Sequence, residues 1–328
     1  MENYTTYVQE TLRAMQQLNL VYNYNFLYFS NYVSPAEYGH PDGWVFVGEG
    51  SVGLDTSNNC CRLATEASGQ AVLSQALHEF PRWQELLRSE TVTAKAHVHL
   101  ETEAAVSLSL SDGIVTKESS TNAAGDYELE VQLAVGAAAT GLILKIECST
   151  PNVVVDISKV YANIGSIALS NLACMVNGVI GERKQYIATE NPPAQELSLC
   201  QSAEELGIGY SRLDSVLNHR YGKGENRSLL PDMRGYFSRA WNHGASIDPD
   251  ANQRQKWGAS NVSGDHVGTL ELEEFKEHNH SIAFSEIATP VGQASVNLVG
   301  KGKTSTTMTG GNETRPSNIS ELYTIKWA

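Results

Sequence analysis

Charged residues are scarce in this sequence, and basic residues are the scarcest. Only 18% of the 328 residues are charged, below the roughly 25% usual in soluble domains. The 23 basic residues against 37 acidic ones leave a net charge of −14. A chain this acidic repels nucleic acid, so we expect no nucleic-acid partner. Acidity also keeps a protein soluble, and we expect this ordinary role here.

Long apolar runs and a recognisable leader are also missing. The longest apolar run, around residues 134–146, is interrupted by Gly136 and Gly141 and is too short to cross a bilayer. The sequence does not begin with a basic segment followed by an apolar stretch and a small-residue cleavage site. We therefore expect no secretory signal and no membrane insertion. A protein made and assembled in the cytoplasm fits both expectations.

Cysteines are few and follow no pairing pattern. The five cysteines, at positions 60, 61, 148, 174 and 200, are odd in number and include no C-x-x-C spacing. Adjacent Cys60 and Cys61 could bridge each other only with strain. We therefore predict buried free thiols.

Strict alternation of apolar and polar residues is what the sequence does contain. It runs through residues 92–100, 127–135 and 142–148, with Lys95, Glu101, Glu128 and Glu130 at the opposite positions. A further alternating segment, 153–157, follows a turn at Pro151 and Asn152. Several half-buried antiparallel strands within about 120 residues predict a β-sandwich. The predicted fold class is therefore mainly β.

Residues 4–22 have the pattern of a helix. Thr6 and Gln9 form a possible capping box, and apolar residues recur at steps of three and four. An isolated helix this short is marginal in water, so it must pack on something. Three copies around an axis and a helix lying on its own chain's next domain are both open.

The order of features from Asn23 to Gly165 resembles a known sandwich family. It includes an Asn-x-Asn-Phe start, a P-D-G-W turn at 41–44, a Leu-Ser-Gln at 73–75 and the closing strands. This order resembles the jelly roll of carbohydrate-binding modules found in phage fibres. The resemblance implies a jelly-roll-like fold, although a fold does not prove sugar binding. Trp44 could stack on a sugar, but a position in the core is the expectation.

A second set of motifs fills the chain from Gly178 onward. It comprises Pro192 and Pro193, Leu199 and Cys200, Tyr210 with Leu213, Tyr221 with Gly222, Leu230–Gly235 as LPDMRG, and the closing GGNETRPSNISELYTIKWA. These residues resemble the tail collar domain and tip of phage tail fibres. Gln195 and Glu196 stand where that family usually has an aromatic residue, which affects local packing. The resemblance implies an irregular α+β domain followed by an intertwined trimeric tip.

His278 and His280 form the candidate metal site. In an extended segment, residues two apart point to the same side. One chain supplies two nitrogens, whereas three chains would supply an octahedral cage suited to Fe(II) and able to take Zn(II) or Ni(II). In the resembling family such a pair lies on a threefold axis. The resemblance therefore implies one Fe(II) or Zn(II) ion per homotrimer, held by His278 and His280.

A second His-x-His occurs at His97 and His99, on the polar side of a predicted strand beside Lys95 and Glu101. Solvent exposure is the favoured interpretation of this pair, and metal binding is the alternative.

Three further patterns match known motifs by letters alone. The H-N-H at 278–280 is not the nuclease motif, whose residues are dispersed and lie in basic surroundings. Gly48-x-Gly50-x-x-Gly53 lacks the helix that a dinucleotide site requires, so turns in the sandwich are the expectation. The phosphate-loop-like NLVGKGKT at 297–304 lacks the first glycine and a following helix.

Ion pairs are the expected role of two arginines in the irregular region. Arg234 follows Asp232, Arg239 lies near Asp248, and we predict buried pairs that order the segment. We predict no catalytic residues, because no ordered nucleophile and base motif occurs. A spatial pair of glycosidase carboxylates would not be visible in a sequence.

We therefore predict four segments: an attachment helix at 1–22, a β-sandwich at 23–165, a collar-like domain at 166–277 and an intertwined tip with a C-terminal strand at 278–328. The predicted function is that of a homotrimeric tail fibre or receptor-binding protein of a tailed phage or contractile injection particle. It would contact tail or baseplate proteins through its N-terminal region and host surface polysaccharide elsewhere. It would be located in the virion tail or an extracellular injection particle. A structural virion connector and a fibre-borne polysaccharide-degrading enzyme are the alternatives.

Overall fold

The computed structural model describes residues 17–29, 40–67, 69–273 and 317–328. The chain divides into two compact units, Met1–Leu270 with Glu321–Ala328, and Glu271–Ser320. The elements described below belong to the first unit. His278, His280, the 297–304 segment and residues 4–16 of the predicted helix lie outside the described residues.

A sandwich of two five-stranded antiparallel sheets forms the larger part of the first unit. One sheet has the order β1-β4-β9-β6-β7 and the other the order β2-β3-β10-β5-β8. The strands are β1 (Val45–Gly48), β2 (Gly50–Asp55), β3 (Cys60–Thr65), β4 (Ala71–Ala76), β5 (Thr91–Leu100), β6 (Val106–Ser111), β7 (Thr116–Thr121), β8 (Gly125–Ala134), β9 (Ile143–Cys148) and β10 (Val154–Ile164). A short helix, α1 (Trp83–Leu87), lies between β4 and β5. The mainly-β sandwich predicted from alternation is confirmed.

The sandwich core comes from the apolar residues at alternate strand positions. In β5, Val92, Ala94, Ala96, Val98 and Leu100 are all buried. The neighbouring strand β8 and strand β9 of the other sheet also bury apolar residues at alternate positions. Burial of this kind stabilises by about 25 cal/mol per Å² of apolar surface removed from water. The alternation therefore fixes which face of each sheet is hidden.

The predicted turn before β1 is present and places Trp44 in the core. The Trp44 N–H donates to the Pro41 carbonyl at 3.1 Å, and Gly43 has a positive φ of 81°. Trp44 is fully buried, with its ring centroid 5.3 Å from that of Phe26. The expected core role of Trp44 is confirmed, and its ring is not accessible to a sugar.

Residues 17–22, predicted as the end of a helix, are not helical. The Leu20 N–H donates to the carbonyl of Ala162 in β10, and the Asn19 N–H donates to Ala173, both at 2.8 Å. The Asn19 side chain also accepts the Ala162 N–H at 3.1 Å. Pairing beside β10 satisfies the backbone groups that a helix would have bonded internally. The prediction of a helix reaching residue 22 is therefore wrong.

The second region of this unit has short elements joined by turns. They are β11 (Arg183–Tyr186), β12 (Glu196–Ser198), α2 (Ser211–Leu217), a 3-10 helix (Ala251–Gln253), β13 (Gln255–Lys256), β14 (Thr269–Leu270) and β15 (Leu322–Lys326). Helix α2 ends at Leu217, and the following Asn218 adopts a left-handed conformation. The C-terminal strand β15, which we expected in the tip segment, pairs with β11 and β12.

The LPDMRG run and the C-terminal motif, which are far apart in the sequence, meet in one small apolar cluster. It contains the buried Leu199, Leu213, Leu230 and Ile325. The Met233 N–H donates to Leu199 O, and the Leu199 N–H donates to Tyr323 O, each at 2.8 Å. The LPDMRG run and the C-terminal motif are therefore packed together around the 199–200 segment.

The ion pairs predicted in the second region form, but the arginines are not buried. Arg234 lies 2.6 Å from Asp232 and its side chain is 58% exposed. Arg239 lies 3.1 Å from Asp248, with 51% of the arginine exposed against 7% of the aspartate. Both arginines extend from irregular segments into solvent. The prediction of buried pairs is therefore wrong for these arginines.

The five cysteines are free thiols, as predicted, but the predicted burial is wrong for Cys174 and Cys200. Cys60, Cys61 and Cys148 are buried, whereas Cys174 and Cys200 are partly accessible. Burial raises the pKa of the Cys60 thiol to about 11, which keeps it protonated. Within the described residues, no helix has the length and apolar character needed to span a bilayer.

Candidate functional site

The outer face of the sheet β2-β3-β10-β5-β8 carries polar and charged side chains, and we call it the polar face. β5 pairs with β8 from Thr91 to Leu100, which puts His97 opposite Glu128 and His99 opposite Asp126. On its other edge β5 pairs with β10, which puts His99 opposite Asp156. Alternate residues of a strand share a face, so the residues between these polar ones point into the core. The packed core residues hold each strand, and with it the polar side chains, in place.

Charged pairs order the centre of the polar face. Lys95 Nζ lies 3.1 Å from Glu128 and 3.3 Å from Glu130. The hydrogen bond from Lys95 holds the pKa of Glu128 below its usual value, and the same bond raises the pKa of Lys95. Glu128 therefore stays ionised at neutral pH.

Each histidine of the pair on β5 faces a carboxylate of β8. His97 Nδ1 lies 3.3 Å from Glu128 Oε1, and His99 Nδ1 lies 2.7 Å from Asp126 Oδ1. Their side chains are 33% and 46% exposed. His99 is exposed, as expected, whereas His97 is half-buried. A carboxylate lies beside each ring, and His99 is hydrogen-bonded to its carboxylate.

One arginine braces the neighbouring strands of the polar face. Arg62 on β3 donates to both oxygens of Asp156 on β10, at 2.9 and 3.1 Å. It also lies 3.1 Å from Asp55 at the end of β2. Paired N–H groups on one carboxylate fix geometry more strictly than a single bond. Asp156 is therefore held rigidly at the edge of the site.

A β-bulge opens a cleft in the polar face. The pairing of β10 with β5 shifts between Ile157 and Lys159, which leaves Ser158 as the extra residue. Bulges bend a strand and re-aim its side chains. The open cleft has a volume of about 470 Å³. Its polar lining residues are Asn58, His97, His99, Glu101, Asp126, Glu128, Asp156 and Ser158.

Two tyrosine rings pack next to His97, which lines the cleft. The ring centroids of Tyr24 and Tyr161 are 5.5 Å apart, and the edge-on His97 ring lies 6.0 Å from Tyr161. Tyr161 is buried, and Tyr24 is half-buried. The aromatic residue of the cleft lining is the half-buried Tyr127, which can offer an apolar surface beside the hydrogen-bonding groups.

Among the described residues, no three histidine, cysteine, aspartate or glutamate side chains converge on a common metal position. The predicted pair His278 and His280 lies outside those residues. The Gly48-x-Gly50-x-x-Gly53 segment spans β1 and β2, and no helix follows it.

Sequence reasoning missed several residues of the cleft, namely Asn58, Asp126, Asp156 and Ser158. Asp126 follows the same alternation as Glu128 and Glu130, so this signal was present in the sequence. Asp156 reaches the cleft through strand pairing and Asn58 through the turn between β2 and β3, neither of which alternation alone reveals. The bulge at Ser158 leaves no composition signal.

The outer face of the other sheet has a separate cleft of about 450 Å³ on β6, β7 and β9. Its polar lining consists of Ser107, Glu118, Ser120, Thr121, Asn122, Glu147 and Ser149. Among the residues that the structure describes, no aromatic ring lines this cleft. It provides a matched surface for control substitutions.

No protein-family model matches the chain. In sequence, the chain is 29% identical over 170 residues to Protein RhiB of Rhizobium leguminosarum bv. viciae, a match that covers 48% of this chain and 76% of RhiB.

Solved structures with a similar part include a family 61 carbohydrate-binding module in complex with β-1,4-galactotriose. It has a TM-score of 0.33 and 16% identity, and the match covers 44% of this chain and 97% of that one. The enzymatically active domain of tailspike protein 4 from bacteriophage CBA120 has a TM-score of 0.33 and 13% identity, over 45% of this chain and 22% of that one. The xylan-binding CBM22-1 domain of Paenibacillus barcinonensis Xyn10C has a TM-score of 0.29 and 18% identity. This match covers 38% of this chain and 88% of that one.

Proposed function

We propose that this chain is a homotrimeric tail fibre or receptor-binding protein of a tailed phage or contractile injection particle. We further propose that its polar face binds glycan on the host surface. The observation that carries glycan binding is the open cleft of about 470 Å³ with its ordered polar lining. The collar-like motifs and their shared apolar cluster support the fibre part of the proposal.

The chemistry of the cleft favours a neutral sugar. Glu101, Asp126, Glu128 and Asp156 bring carboxylates to the lining. Carboxylates accept hydrogen bonds, and sugar hydroxyls can donate them. A uronic, sulfated or sialylated sugar would bring like charge to this acidic surface. The proposed ligand is therefore a neutral polysaccharide of the cell surface.

Exposed apolar side chains in the second region support the proposed trimer. Phe237 and Ile247 are 61% and 85% exposed, and Tyr236 and Trp241 are also exposed. Asp265 fixes their loop by accepting the N–H groups of His243 and Gly244 and the Asn242 amide. An ordered apolar surface of this kind is suited to bury against a sister chain. Three weak glycan sites in one particle would then bind with avidity.

Binding of the purified chain to arrays of neutral and acidic polysaccharides tests the glycan site. Ser158→Trp should fill the cleft, because it adds a large side chain at the bulge, and should reduce binding to neutral glycan at least tenfold. Glu118→Gln on the opposite sheet is the matched control and should bind as the wild-type chain does. If Ser158→Trp also binds like the wild type, the polar face is not the site.

Adsorption of particles that lack the chain tests the adhesin role. We expect assembled particles that fail to adsorb to host cells. Unchanged adsorption together with failed assembly would instead identify a structural connector of the virion.

Release of reducing ends from host polysaccharide tests the enzyme alternative. A general acid of a glycosidase needs a carboxyl that is protonated near neutral pH. The pKa of Glu128 is shifted downward by Lys95, the opposite of that requirement. We therefore expect binding without release of reducing ends.

A further inference from the structure

We propose that His97 and His99 bind a transition-metal ion such as Zn²⁺ or Cu²⁺ on the polar face. The two residues alternate on β5, so both rings lie on the same side of the sheet. β5 is hydrogen-bonded on both edges, to β10 and to β8. The backbone therefore holds the pair in a fixed spacing. This site is distinct from His278 and His280 and does not depend on glycan binding.

Carboxylates orient both rings for such a role. Asp126 and Glu128 each face the Nδ1 of one histidine. In a neutral imidazole, the nitrogen facing a carboxylate carries the proton, which leaves the lone pair on Nε2. Metal-binding histidines in proteins almost always donate their other N–H in this way. No described residue hydrogen-bonds Nε2 of either ring, so both lone pairs are available to an ion.

The supporting carboxylates differ in how firmly they are held. Glu128 is tied to Lys95 at 3.1 Å, whereas the Asp126 side chain is 88% exposed. Asp126 makes the shorter contact with its histidine, 2.7 Å against 3.3 Å. The His99 ring is therefore oriented by a hydrogen bond to Asp126, and the His97 ring has a braced carboxylate beside it.

The surroundings suit a partly solvated cation. The two rings line the open cleft, so an ion with bound water has room. Glu101 and Asp156, which also line the cleft, add negative charge. Imidazole nitrogen favours Zn²⁺, Cu²⁺ or Ni²⁺ over Mg²⁺ or Ca²⁺. Because no third protein donor converges among the described residues, the remaining positions of the ion would face the cleft and take water.

Titration calorimetry of the tag-free chain with ZnCl₂ at pH 7.5 tests the site. The background is the variant His278→Ala/His280→Ala, which removes the other His-x-His pair. We expect one Zn²⁺ per chain in this background, and at least tenfold weaker binding when His97→Ala or His99→Ala is added. His266→Ala, at an exposed histidine, is the matched control and should leave binding unchanged. Zn²⁺ binding that survives His97→Ala/His99→Ala would overturn the proposal. Failure of the His278→Ala/His280→Ala background itself to bind Zn²⁺ would also overturn it.

Substitution of the supporting carboxylates separates a built site from adventitious binding by surface histidines. Asp126→Asn and Glu128→Gln should each weaken Zn²⁺ binding about 10- to 100-fold, the usual effect of losing such a partner. With Cu²⁺ as the probe, electron paramagnetic resonance should show coupling to two imidazole nitrogens. Equal Zn²⁺ affinity in all the carboxylate variants would overturn the oriented site. Because no glycan is present, failure here leaves the glycan proposal intact, and failure of glycan binding leaves this one intact.

Discussion

Glu79 and Arg212 form an ion pair in which each side chain is only 1% exposed, with Arg212 Nε 3.4 Å from Glu79 Oε2. The same carboxylate accepts the backbone N–H groups of Ser211 and Arg212 at the start of α2, at 2.6 and 2.9 Å. The guanidinium also donates to the Glu79 carbonyl. Glu79 follows β4 of the sandwich, so this pair joins the sandwich to the second region.

Replacing Glu79 with glutamine should strongly destabilise the protein. The substitution keeps the size of the side chain but leaves a buried guanidinium without its counter-charge, which costs about 3–5 kcal/mol. Urea denaturation of the wild-type and Glu79→Gln chains measures this loss in the free energy of unfolding.

An exposed pair in the same segment provides the control for Glu79→Gln. Arg82 and Glu85 form an ion pair with side chains 77% and 61% exposed, and Glu85→Gln should leave the free energy of unfolding almost unchanged, because exposed ion pairs contribute little. The apolar double variant Glu79→Met/Arg212→Met should recover part of the lost stability, because it leaves no unpaired charge. Equal effects of Glu79→Gln and Glu85→Gln would contradict the assigned role.

Asp112 should give the protein a pH-dependent contribution to stability. Hydrogen bonds from the N–H groups of Val115, Gly136 and Ile114, at 2.7, 2.9 and 2.9 Å, hold the pKa of Asp112 below its usual value against the opposing effect of burial. The folded-state pKa is therefore below the unfolded value of about 3.9. The carboxylate stabilises the fold above that value, and this stabilisation is lost as the pH falls through the folded-state pKa.

The comparison of wild type with Asp112→Asn between pH 2.5 and 7 measures this contribution. At pH 7 the variant should be less stable by about 1–3 kcal/mol, because its amide cannot accept all three N–H groups. The difference between the two chains should shrink below about pH 4. A difference of the same size at both ends of the range would show that the ionised carboxyl is not responsible.

Gly43→Ala should destabilise the turn that places Trp44 in the core. Gly43 has a φ of +81°, and an added Cβ would lie 2.5 Å from Cδ1 of Tyr22. Left-handed conformation alone costs a non-glycine residue about 1–3 kcal/mol, and the contact with the buried Tyr22 ring adds to it. Thermal denaturation should show a lower Tm for this variant.

Gly53→Ala is the matched control for Gly43→Ala. A Cβ added at Gly53 meets no atom within 4 Å, and alanine is at least as favourable as glycine within a strand. Its Tm should equal or exceed that of the wild type. A similar fall in Tm in both variants would mean that general loss of glycine, rather than the Gly43 turn, is responsible.

Much of the sandwich could be predicted from the sequence because one physical rule governs it. Burial on one face of each sheet imposes alternation, and this alternation marks β5 and β8 directly. The same rule predicted that Lys95, Glu128 and Glu130 share the outer face. It could not predict that His97 lies opposite Glu128, since strand register depends on pairing between distant segments.

The rest of the candidate site depends on long-range events that local patterns do not contain. The bulge at Ser158 arises in the pairing of β10 with β5. Residues 17–22 have helical spacing, but pairing beside β10 overrides that tendency. Burial of Arg212 could not be predicted either, because its counter-charge Glu79 lies 133 residues away in the sequence.

His278→Ala/His280→Ala should lower the Tm of the assembled protein if the pair joins three chains through a metal ion. Native mass spectrometry with elemental analysis should find three chains in the wild type, and one Fe or Zn ion per assembly in addition to any ion held by His97 and His99. The variant should lose that ion, and its trimer should dissociate or melt earlier, because removing a bound metal removes its binding energy from the folded state. His97→Ala/His99→Ala is the internal control, since those residues lie on the polar face and should leave the trimer intact. A wild-type chain that remains a metal-free monomer of 35.7 kDa would contradict both the trimer and the role of His278 and His280.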